Sequence, residues 1–94
     1  ALMFMNNPHV RGWARSFAKK VIASNPNSME EQMEHAYRVA LARGPSADEL
    51  ARAIEFAQRQ FNSYSNERLA DPMESAMADF CQVLISLNEF IYLD

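Results

Sequence analysis

The sequence predicts an all-α fold, a compact array of four helices with the C-terminal helix central. Three observations lead there. Apolar residues recur at three- and four-residue steps, four separate start signals punctuate the chain, and the last quarter carries an unusually narrow polar strip. In that last stretch Met73, Met77, Cys81, Leu84 and Ile91 mark the apolar spacing, and Ala76, Phe80, Val83 and Leu87 widen it. Ser75, Asp79, Gln82, Ser86 and Glu89 form its only continuous polar line. A helix with so little polar surface is touched by neighbours on most of its circumference.

Taken in order, the first helix is expected over about 8–24. Asn7 is a favoured N-cap and Pro8 suits the first helical position. Val10, Trp13, Ala14, Phe17, Ala18, Val21 and Ile22 then form one apolar stripe, which Asn25-Pro26 ends because the residue before proline avoids the helical region. A second helix, about 29–43, opens on the capping box Ser28-Met29-Glu30-Glu31. It places Met29, Met33, Ala36, Tyr37, Ala40 and Leu41 on one face and stops at Gly44-Pro45, with glycine expected in the left-handed C-cap. A third, about 47–62, starts from a second capping box, Ser46-Ala47-Asp48-Glu49, and buries Leu50, Ala53, Ile54, Ala57, Phe61 and Tyr64. The connection before it is so short that the two helices must be antiparallel or steeply angled. The polar run Asn62–Asp71 reads as the longest loop. Asp71-Pro72-Met73-Glu74 launches the central helix, about 72–89. The character changes at Asn88, and the apolar end Phe90–Asp94 is expected to pack back on the domain, lying side by side with the N-terminal arm Ala1–Met5 or on the same surface as it.

A chain of 94 residues is one domain, long enough for a single core without staples. Its apolar fraction of 49% is high for that size, and it opens on Ala1 with an apolar run, so it reads as an excised C-terminal piece of a larger protein. No stretch approaches the length of a membrane span, and the first residues lack the layout of a signal peptide. One cysteine excludes an internal disulfide and a cysteine-based zinc site. A net charge of −3 speaks against a nucleic-acid partner.

Three stretches resemble one family: Asn6-x-Pro8; Tyr37-Arg38-x-Ala40-Leu41-x-Arg43-x-Pro45 with Glu49; and Asp79–Leu84 running into Leu87-Asn88-Glu89-Phe90-Ile91-Tyr92-Leu93-Asp94. Together they are similar to the C-terminal part of the planctomycete-specific domain of unknown function. That domain occurs in large multidomain proteins that often also carry a cytochrome-c-like domain and a second planctomycete-specific domain. The closing block is the most specific part of the match. Ala42 departs from the pattern, which usually has glycine before the arginine, so the turn after the second helix is expected to be one residue more helical. The resemblance implies a bacterial, exported or envelope-associated protein, and no established reaction.

The candidates for chemistry are few. His9 and His35 lie on different helices, and Gln32 stands where a Glu-x-x-His metal pair would need its carboxylate. No Cys-x-x-Cys-His is present to attach haem, and no cofactor is expected. Cys81 lies on the buried stripe, where a thiol is inert. Met29, Met33, Met73 and Met77 fall on core faces, while Met3 and Met5 stay unassigned.

The first helix has no acid between Pro8 and Ser24. Arg11, Arg15 and Lys19 repeat there at four-residue steps, a ridge able to meet phosphates or an acidic polysaccharide. The plainer reading is a solvated face, or one paired with Glu30, Glu31 and Glu34. Lys19 and Lys20 also suit the helix C-terminus electrostatically. Arg38, Arg43, Glu49, Asp79, Asn88 and Glu89 are the polar residues of the family-like blocks. Their carboxylates would act as acid and base in a catalytic reading. In the favoured structural reading the arginines fork onto carboxylates and helix ends.

The expected function is therefore a non-catalytic packing or interaction module that meets the rest of its chain, or another protein, through apolar surface. The alternative is a fragment of a redox- or carbohydrate-linked enzyme whose active site lies mostly elsewhere.

Overall fold

The structure, a computed structural model, describes residues 8–93, with side chains described through Leu87. Its helices are α1 (Pro8–Ser24), α2 (Met29–Leu41), α3 (Ala47–Asn66) and α4 (Pro72–Leu93). The all-α array with a central fourth helix is what forms: α4 packs most extensively on α1 and α3 and also meets α2, and α1 and α2 meet least.

The core is built from one stripe of each helix. Ala14, Ala18 and Val21 come from α1; Met33, Ala36 and Tyr37 from α2; Ala53 and Ala57 from α3; Met77, Ala78, Phe80, Cys81 and Leu84 from α4. Alanine recurs at these contacts, which lets helix axes approach closely, while Met33, Met77 and Leu84 fill the space between them. Each of those large side chains contributes about 1.5–3 kcal/mol by leaving water. Tyr37 and Phe80 join α2 to α4 with ring centroids 5.9 Å apart at 47°, a tilted arrangement favoured by the ring quadrupoles.

Two apolar assignments change. Trp13 lies on the edge of the α1 stripe and is 62% exposed. Leu87 likewise faces outward at 47%. The polar line of α4 is buried along with its apolar face: Ser75, Gln82 and Ser86 are each less than a tenth exposed. At Asp79 and Gln82 the line meets polar side chains of α1 and α3, and the Ser86 hydroxyl donates to the Gln82 carbonyl of its own helix.

Helix ends differ from the expected ones for local reasons. The second helix stops at Leu41, two residues early, because Ala42 takes the left-handed cap (φ 60°) and gives its N–H to the Arg38 carbonyl. Gly44 has no positive φ, so the expected glycine cap and the extra helical residue at Ala42 are both corrected. At the start of α2 the Ser28 hydroxyl accepts from Glu31 N–H at 3.2 Å, but the reciprocal half of the box does not form. The box at Ser46 and Glu49 is complete.

The third helix runs to Asn66, past the expected loop start. It closes with Leu69 N–H on the Tyr64 carbonyl and Arg68 N–H on the Ser65 carbonyl, a Schellman arrangement with Arg68 at φ 59°. The fourth continues to Leu93, so the backbone does not change at Asn88. The stretch holds no glycine or proline to break it. The expected docking of the arm and of the last side chains falls outside the described residues, as do the Asn7 cap and the Asn6 motif position.

Candidate functional site

The polar residues of the family-like blocks fall into separate groups. At the middle of α4, Asp79 projects into the seam between α1 and α3, its side chain 14% exposed. Arg11 of α1 reaches its Oδ1 at 2.7 Å and also donates to Gln82 Oε1 at 3.1 Å. From α3, Gln60 Nε2 donates to Oδ2 at 2.7 Å and the Tyr64 hydroxyl to the same oxygen at 2.8 Å. Both carboxylate oxygens are thus occupied by donors from two other helices. Burial, and then the bond to Asp79, raise the Tyr64 phenol above its ordinary value. One turn earlier, Arg15 meets Glu74 at 3.1 Å. The anticipated pairing of the α1 ridge with acids of α2 is therefore corrected: Arg11 and Arg15 turn towards α4, and Lys19 stays exposed.

The second group caps α3. Arg43 forks onto Glu49 with Nη1–Oε1 and Nη2–Oε2 at 2.8 and 2.9 Å. Ser46 N–H donates to the same Oε1 at 2.9 Å. The guanidinium also stands 5.7 Å from the Tyr37 ring centre. The Arg43 hydrogen bond, followed by that from Ser46, holds the Glu49 carboxyl down at about 2. Arg43 is raised in turn by the same bond. Tyr37 is raised by burial and by Glu49. Arg38 is exposed and lays its guanidinium over Gly44, where an added Cβ would meet Nη2 at 3.3 Å.

Glu49 lies eleven residues before Gln60 on α3, about 16 Å along the axis. It is far from Asp79, which Gln60 holds, so these two carboxylates do not form an acid–base pair. The side chains of Asn88 and Glu89 lie outside the described residues. Cys81 is fully buried and its thiol is pushed up to about 12 by desolvation, a state without nucleophilic character at neutral pH. No cluster of three or more potential metal ligands occurs among the described residues. Among them, too, no helix is long and apolar enough to cross a membrane.

A third polar group joins Gln32 and His35, which the sequence offered only as a metal pair that Gln32 breaks, to Asn25. Asn25 Nδ2 reaches the Val21 carbonyl at 3.1 Å and His35 Nδ1 at 2.7 Å. A carbonyl only accepts, so Nδ2 gives one hydrogen to each, and the imidazole proton sits on Nε2. Gln32, 5% exposed, donates to the Asn25 carbonyl at 2.8 Å. Its Oε1 has no hydrogen-bond partner among the described residues. Asn25 had read only as a helix breaker. The signal that could have found the group is that Gln32 and His35 sit three apart on the edge of the α2 apolar face.

Next to this group, α1 and α2 flank a groove of about 550 Å³ that Trp13, Phe17, Val21, His35 and Val39 help to line. Trp13 and Val39 are each 62% exposed on its opposite walls. A second hollow, about 310 Å³, lies among Tyr37, Phe56, Phe80, Val83 and Leu87. No protein-family model matches this chain, and no curated protein or solved structure is significantly similar to it.

Proposed function

We propose that this chain is a non-catalytic helical packing and interaction module of a larger bacterial envelope or secreted protein. The observation that carries the reading is Asp79. A reactive carboxylate needs an oxygen facing substrate, whereas both of its oxygens are engaged by Arg11, Gln60 and Tyr64, and it lines neither hollow. Its work is to tie α1 and α3 to α4. The bidentate Arg43–Glu49 pair does the same for the α2–α3 turn. Apolar surface remains for contact with other molecules: Trp13, Val39, Leu69 and Leu87 stand exposed. The bacterial setting and the larger parent rest on the resemblance to the planctomycete-specific domain.

Asp79→Ala tests the reading. Removing it leaves a half-buried guanidinium and two α3 donors unpaired, with an expected loss of about 2–3 kcal/mol in urea unfolding. Arg52→Ala breaks only the exposed Asp48 pair within α3 and should cost less than about 0.5 kcal/mol. If Asp79→Ala left stability unchanged, the residue would be free for chemistry and the module reading would fall.

A further inference from the structure

The groove between α1 and α2 has a chemistry of its own. Phe17, Val21, Trp13 and Val39 supply an apolar floor and walls, Lys20 and His35 stand at its sides, and the remaining lining residues are serines. No acid lines it, in a protein whose formal charge is −3. Lys20 has no ion-pair partner among the described residues. His35, its Nδ1 occupied by Asn25, keeps a donor at Nε2. Among the described lining residues the charge is therefore that of the Lys20 ammonium, which lies beside exposed apolar surface.

The shape narrows the occupant. From Trp13 to Ser24 the groove follows α1 for about 16 Å, the length of about three helical turns. Its two walls end in side chains that are mostly exposed, so it is an open trough and would leave a small molecule largely uncovered. An amphipathic helix laid along such a trough buries its apolar stripe fully. Charge sets the orientation. Lys20 lies on the α1 side, whereas a neighbouring polar hollow on the α2 side brings Glu31, Glu34 and Arg38 together. Carboxylates are therefore favoured along the α1 edge, while the α2 edge carries both signs of charge.

We infer that this groove is a docking site for an amphipathic helical segment of a partner, with an apolar stripe on Trp13, Phe17 and Val39 and carboxylates facing Lys20. The inference rests on the module reading and names its contact surface. Trp13 is an aromatic anchor of the kind that dominates such contacts. It is also the only tryptophan in the chain, so occupancy of the groove is reported by its fluorescence.

The probes are two stapled helical peptides of about three turns with the same leucine stripe. One carries glutamates along one edge, and the other carries lysines there. With the glutamate peptide the Trp13 emission should shift to the blue and saturate, and the lysine peptide should bind about tenfold more weakly. Lys20 is exposed, so Lys20→Glu folds, and it should reverse the order of the two peptides. No shift with either peptide, or equal affinity in both proteins, would overturn the site. Emission already blue in the dilute protein and insensitive to peptide would mean that another part of the chain fills the groove. A blue shift that grows with protein concentration alone would mean that a second copy does. Either result ends the inference. Loss of peptide binding with Asp79→Ala still destabilising would leave the module reading standing, so the two ideas fail separately.

Discussion

Ala42 holds a left-handed conformation that an L-residue enters at a cost of about 1–2 kcal/mol, while Gly12 sits in the exposed interior of α1 with nothing within 4 Å of where its Cβ would be. Each position suits the other's residue. Ala42→Gly is expected to raise stability by about 1 kcal/mol. Gly12→Ala should add about 0.5–1 kcal/mol through helix propensity. Thermal melts of the two variants, each raised by several degrees, would show it. A lowered melt for Ala42→Gly would mean that the cap is not left-handed. Glu49 gives a pH signature. Its folded value of about 2 lies below the ordinary 4.5, so the contribution is complete above about pH 4.5 and is lost as pH falls through about 2. The stability difference between the protein and Glu49→Gln, followed by urea unfolding, should shrink across that interval. Added salt should reduce it as well, because the pair is exposed.

At the scale of the helix, α4 separates what periodicity can and cannot show. Leu84→Ala should cost about 2–5 kcal/mol because the side chain is enclosed by the other helices. Leu87→Ala, one step along the same stripe, should stay within about 0.5 kcal/mol. Equal losses in urea unfolding would mean that the helix is rotated from the orientation described. The sequence showed where α4 begins, through Asp71 and Pro72, and that most of its surface is covered. It did not show that Ser75, Gln82 and Ser86 face inward. Polarity along one helix records only that the line differs from the rest, and the sign of its environment is set by Arg11, Gln60 and Tyr64 on other helices. The same cause lengthens α3: the tie from Tyr64 to Asp79 holds a stretch helical that composition alone reads as loop.

At the scale of the whole molecule, the four-helix array was legible because caps and spacing agree at every start. The arrangement of charge was less so. Arg11 and Arg15 follow a four-residue step that marks one face of α1, yet nothing local says which neighbouring helix that face meets. The groove was hidden for a related reason. Trp13 fits the apolar stripe of α1 as well as Phe17 does, and only the tertiary arrangement leaves it at the surface. Asn25, His35 and Gln32 join where those two helices connect, a tertiary relation that a pattern of single residues does not encode.

The central position of α4 also orders events at the ribosome. Helices α1, α2 and α3 leave the exit tunnel first, each with an apolar stripe whose main partner has not been made. At typical elongation rates the 22 residues of α4 take about 1–4 s to add. Throughout that interval the nascent chain presents uncovered surface to whatever chaperones surround the tunnel. Arg11 and Gln60, separated by about half the sequence, acquire their shared carboxylate only when translation has passed Asp79. Until then the nascent chain is a set of amphipathic pieces, and the interval in which they can misassemble closes only once α4 has been made.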